Sequence, residues 1–75
     1  MQLWEYLRLY HYPLEGRYQL NREDMHEWRN KTIEDILSDL GREGWELVSV
    51  VGNISPGLSG PSTASYYFFL KRPIS

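Results

Sequence analysis

Leu37-Ser38-Asp39-Leu40-Gly41-Arg42-Glu43-Gly44-Trp45-Glu46-Leu47-Val48-Ser49-Val50-Val51 is the stretch that decides how this chain folds. Its first part completes an amphipathic helix, Gly44 turns the backbone, and Trp45 to Val51 is an aromatic and β-branched run suited to a strand. The helix opens at Thr32, which precedes Ile33 and has Asp35 three residues on, the acidic form of a capping box. Ile33, Ile36, Leu37 and Leu40 fall at i, i+3, i+4 and i+7 and draw one apolar stripe, while Glu34, Asp35, Ser38 and Asp39 face water. Acids in the first turns and Arg42 in the last complement the helix dipole. The spacing therefore predicts a helix over 33–43, with Gly44 in the left-handed region as its cap. Gly41, inside the last turn, is expected to let the helix approach a sheet closely.

Upstream, Leu3 to Tyr12 reads as a strand ended by Pro13. Alternation puts Trp4, Tyr6, Arg8, Tyr10 and Tyr12 on one side and Leu3, Glu5, Leu7, Leu9 and His11 on the other. Pro13 to Gly16 is a turn signal, and Arg17 to Leu20 can return as a short hairpin partner. Between Asn21 and Arg29 a helical turn and an extended path fit equally. Downstream, Trp45 to Val51 forms the second strand, 52–63 a Gly/Ser/Pro loop, and Ala64 to Lys71 a third strand that is apolar on both sides. The most apolar strand suits the centre. The expected fold is a single α+β domain, strand, hairpin-like excursion, helix, strand, strand. Its three-stranded, mainly antiparallel sheet has order 1-3-2, and the helix packs on one face.

Seventy-five residues support one small core. Domains of this size usually lean on disulfides, a metal or a second copy. The chain contains no cysteine, which removes disulfides and thiolate metal sites. Ten acids against eight bases give a net charge of −2, without the basic stripe of a nucleic-acid binder. No leader-like segment precedes the first strand and the longest apolar run is too short to span a bilayer, so the expectation is a soluble cytoplasmic protein without a membrane partner.

One helix shields one side of a sheet. The other side carries several aromatic side chains, each worth about 150–250 Å² of buried area, whereas monomers rarely expose apolar patches beyond a few hundred Å². The expected solution is a homo-oligomer in which this face packs on its copy, with Trp4, Tyr6, Trp45, Leu47, Tyr67 and Phe69 at the interface. The alternative is that Tyr18, Met25 and Trp28 fold back over the face as a lid.

Trp4-Glu5-Tyr6, the block from Leu37 to Val48, and Tyr67-Phe68-Phe69-Leu70-Lys71-Arg72-Pro73 together resemble a bacterial and phage family known as domain of unknown function 4177. The family pattern is a WEY-like strand, an LNELGxEGWELV-like joint and a final FxxKRP-like strand. This chain has Ser38-Asp39 where the family commonly has Asn-Glu, and a longer insert from Pro13 to Lys31. The resemblance implies a small α+β fold and brings no activity or catalytic residues; by analogy with its phage members it implies a role against host defence.

Catalytic signatures are missing from the sequence. His11 and His26 belong to no metal-ligand pattern, although His26 with Asp24 or Glu27 is a conceivable pair. Ser55, Ser59, Ser62 and Ser65 lack the spacing of a nucleophile elbow, and Leu58 stands where a phosphate-binding loop needs lysine. The expectation is a protein without catalytic residues, metal or cofactor. Glu46, among apolar neighbours, is expected to pair with Arg8, Lys71 or Arg72. Two functions fit: a homo-oligomeric interaction module that also binds another protein, or an oligomer that sequesters a small anion or nucleotide between subunits. The second would use Arg8, Tyr10, Arg17, Ser59, Lys71 and Arg72. Glu5, Glu46 and the net charge oppose single-stranded RNA on the aromatic sheet.

Overall fold

Thr32 Oγ1 accepts a hydrogen bond from the Asp35 N–H at 3.2 Å, and helix α1 runs from there over Ile33–Arg42. It ends in a Schellman motif. The Trp45 N–H donates to the Leu40 carbonyl at 3.1 Å and the Gly44 N–H to that of Gly41 at 3.0 Å. Gly44 has φ +94°, where a side chain is strained. Trp45 then packs against the buried cluster that contains Leu40, the apolar contact that accompanies this cap. A Cβ on Gly41 would meet open space, which corrects the expectation of a close helix–sheet approach there.

The computed structural model describes residues 1–57 and 60–74, with side chains through Asn53 and from Ser65 onward. The five strands are β1 (Leu3–Tyr12), β2 (Arg17–Leu20), β3 (Glu23–Asp24), β4 (Glu46–Gly57) and β5 (Gly60–Ile74). They form one antiparallel sheet of order β3-β2-β1-β5-β4. The expected 1-3-2 order survives as β1-β5-β4, and the count of three is corrected to five. Both further strands lie within residues 13–31: β2 is the hairpin partner expected over Arg17 to Leu20, and β3 adds to it. Pro13–Glu15 forms a 3-10 turn ended by Gly16 at φ +60°, and β2 returns along β1. Asn21 and Arg22, at φ 47° and 78°, make the two-residue turn into β3. His26–Trp28 is a second 3-10 turn.

The expected loop over 52–63 is a second correction. β4 and β5 continue through it as a paired ribbon, from Gly52↔Tyr66 to Gly57↔Gly60, with residues 58–59 outside the described part. The ribbon runs on past the last β1 partner, His11↔Tyr66. It stretches the molecule to 50 × 26 × 19 Å, with a radius of gyration of 13.9 Å. A compact chain of this length would have about 11 Å.

The core lies between α1 and one side of the sheet. Leu7 and Leu9 of β1, Tyr18 of β2, Phe68 and Leu70 of β5, and Ile36 and Leu40 of α1 are buried together. Tyr18, Met25 and Trp28 join this same side, so the insert enlarges the core and the lid over the opposite face is excluded. The Tyr18 hydroxyl donates to the Lys31 carbonyl at 2.8 Å, tying β2 to the approach of α1.

Candidate interaction surface

Register assigns every sheet side chain to one of two faces. On β1 the odd residues Leu7 and Leu9 are buried under α1, so their partners Leu70 and Phe68 share that side. The even residues Trp4, Tyr6, Arg8, Tyr10 and Tyr12 point away, opposite Pro73, Lys71, Phe69 and Tyr67 of β5 and Arg17 of β2. β4 completes this open face with Glu46, Ser49 and Val51. A β-bulge at Val48 re-phases β4, so that Leu47 and Val50 turn to the helix side. None of the described elements lies over the open face: Tyr6 is 69% exposed and Phe69 38%.

The open face alternates aromatic rings with cations. The Lys71 ammonium sits 4.1 Å from the Trp4 ring centroid, the Arg8 guanidinium 5.7 Å from Tyr67, and that of Arg17 5.6 Å from Tyr12. Tyr10 and Tyr67 contact each other at 5.0 Å between centroids. Such cation–π contacts are worth about 0.5–1 kcal/mol each when exposed. Arg17 also pairs with Glu15 at 3.1 Å. Beside Arg8, a groove of about 310 Å³ opens between Tyr6, Leu7, Asn21, Arg22 and Phe69. Asn21 closes its end, accepting from the Arg8 N–H through Oδ1 and donating its own N–H to the Arg8 carbonyl, both at 2.9 Å.

The residues expected at the interface divide. Trp4, Tyr6, Tyr67 and Phe69 share the open face, whereas Leu47 lies on the helix side and Trp45 precedes β4 against the core. Of those expected to hold an anion, Arg8, Tyr10, Arg17 and Lys71 come together on the open face. Ser59 lies outside the described residues. Arg72 turns to the helix side, where its Nε donates to Glu5 Oε1, its Nη1 to the Glu43 carbonyl at 2.9 Å, and its guanidinium covers the Trp45 ring at 4.3 Å. It clips β1, the helix cap and β5 together. Its partner is therefore Glu5 and not Glu46, and Glu46 and Asp24 are strand acids that register places on the sheet's open side with the cations.

Alternation along β1 had already placed Tyr12 on the side of Trp4, whereas Val51 was missed as a member of the open face. The bulge that turns Val51 outward has no residue signature.

Two side chains on the helix side have shifted titration. His11 stacks on Tyr18 at 4.3 Å, and burial holds its pKa below the usual histidine value. Burial, with Glu34 nearby, raises that of Tyr18. His26 stands on the surface 3.3 Å from Asp24, and no group of three potential metal ligands gathers among the described residues. No helix among them is long and apolar enough to cross a membrane.

The family model described as Domain of unknown function (DUF4177) matches residues 4–73. No curated protein and no solved structure matches the chain.

Proposed function

The chain belongs to the DUF4177 family, and from that footing we propose that it is a non-enzymatic interaction protein that self-associates through its open sheet face. The observation that carries this reading is the contiguity of Trp4, Tyr6, Tyr10, Tyr67, Phe69 and Val51 on a face that no described element covers. Burying such a patch between copies is worth about 25 cal/mol per Å², in a chain too small to be generously stable alone. Sedimentation equilibrium tests it. The wild type should weigh a multiple of 8.9 kDa at micromolar concentration. Tyr6→Lys with Phe69→Lys should fall to a smaller species with unchanged circular dichroism. A single-chain mass for the wild type, or an unchanged mass for the double variant, would overturn it.

The gathering of Arg8, Arg17 and Lys71 on that face favours a second reading, in which the oligomer holds a small anion or nucleotide between subunits. Three cations per copy resist close approach unless an anion neutralises them. A thermal-shift panel of inorganic phosphate and nucleotides addresses this directly, since a ligand of the native state raises the midpoint. No rise across the panel counts against it.

A further inference from the structure

The sheet ends in two very unlike edges. One is β3, two acidic residues long (Glu23–Asp24), short and charged in the manner of edges protected from pairing. On the same flank the first half of β1 is also free, but it is interrupted at Arg8 by the side chain and backbone of Asn21. The other edge is β4, Glu46–Gly57, whose only neighbour in the sheet is β5. Every second N–H and C=O of β4 therefore points away from the sheet. Between Glu46 and Asn53 it carries one charge, at its start, and Leu47, Val48, Val50 and Val51 are each between 43% and 53% exposed, on both faces. Apolar character on both sides marks an interior strand.

The ribbon beyond His11↔Tyr66 has the same deficiency. It is two strands deep, and two-stranded ribbons are marginal in water until a third strand joins. We propose that β4 pairs edge to edge, antiparallel, with β4 of a second copy, joining two five-stranded sheets into one continuous sheet. A twofold axis normal to the sheet then lays the ribbon of each copy against the root of the other's β4, which supplies the missing third strand. The outward amides of each strand meet the carbonyls of its twin. The two Glu46 side chains lie at opposite ends of the seam, so no like charges face each other. The axis keeps both helices on one side, so facing residues have equal parity and one residue stands opposite itself. The longest overlap of Glu46–Gly57 with its copy puts that residue at Val51 or Gly52.

This pairing uses the edge and does not depend on packing of the open face. The absence of native cysteine makes a cysteine scan clean. Single substitutions from Leu47→Cys to Asn53→Cys, each also placed in the Tyr6→Lys/Phe69→Lys background, are oxidised and scored for disulfide-linked dimer. One maximum along the strand, present in both backgrounds, supports edge pairing, with Val51→Cys or Gly52→Cys expected to give it. A flat, low yield overturns it. Amide exchange of the uncrosslinked wild type provides the second readout. All β4 amides from Leu47 to Asn53 should be protected, the outward ones slowing about tenfold or more on assembly. Alternating fast and slow amides at every concentration would overturn the pairing, even if the mass shows that the open face still associates.

Discussion

The two faces of this sheet are built from the same strands and nearly the same residue types, yet one is covered and the other open. On the helix side Leu9 and Ile36 are wholly buried, and the polar side chains there are engaged inside the chain, Tyr18 with Lys31 and Arg72 with Glu5. On the open side Tyr6, Trp4 and Phe69 remain exposed, and the cations lie on aromatic rings, away from the backbone. Composition does not distinguish the buried face from the open one; what lies over each does. The helix side should therefore govern folding, and the open side association.

The sharpest way to break that contrast is to truncate one residue on each face. Leu9→Ala removes a fully buried side chain and should cost about 2–5 kcal/mol, much of the stability of so small a domain. Phe69→Ala, on the open side, should cost the isolated monomer under about 1 kcal/mol while weakening self-association. Urea unfolding of both at a concentration low enough to keep monomers apart compares them. Equal losses would dissolve the distinction between the faces.

Next in size is Gly44→Ala, expected to cost about 1–2 kcal/mol because the residue must hold φ +94°. Its denaturation midpoint should fall with an unchanged slope, since the cap positions α1 on the helix side without altering what is buried. Gly41→Ala sharpens the same point in reverse. A Cβ there meets nothing, so the variant should gain about 0.5–1 kcal/mol, read as a higher thermal midpoint.

The last prediction concerns pH. His11 has a lowered folded pKa, so below the normal histidine pKa the unfolded chain binds the extra proton and the native state does not. Stability from this residue is thus fully present above about pH 6.5 and is lost as pH falls toward the folded value. His11→Phe should flatten the midpoint between pH 5 and 7.5. A slope of the same size in the variant would mean that the titrating group lies elsewhere.

Local signals were strong where the chemistry is local. Thr32 with Asp35, the stripe from Ile33 to Leu40, and Gly44 before Trp45 located the helix and its caps, because each feature is decided within a few residues. The span Leu3–Tyr12 and the place of β5 between β1 and β4 followed from strand length and apolar continuity, although β1 and not β5 is the central strand of the five. What escaped depended on distant partners. Residues 52–63 read as a loop by composition, yet the strand pairing of β4 with β5 continues through the described part of that stretch. The Val48 bulge decides which side Leu47 and Val51 face, and a single-residue slip of this kind leaves no mark in residue type. Arg72 joins Glu5 across the sheet and Glu43 at the helix cap, contacts that no spacing along the chain announces.

Hydroxyl-radical labelling of Tyr6 and Phe69 in the assembled wild type examines the open face most directly. Both rings should be protected at high protein concentration and recover the reactivity of exposed side chains on dilution, while Leu9 stays unreactive throughout. Rings that react at one rate at every concentration would contradict the account.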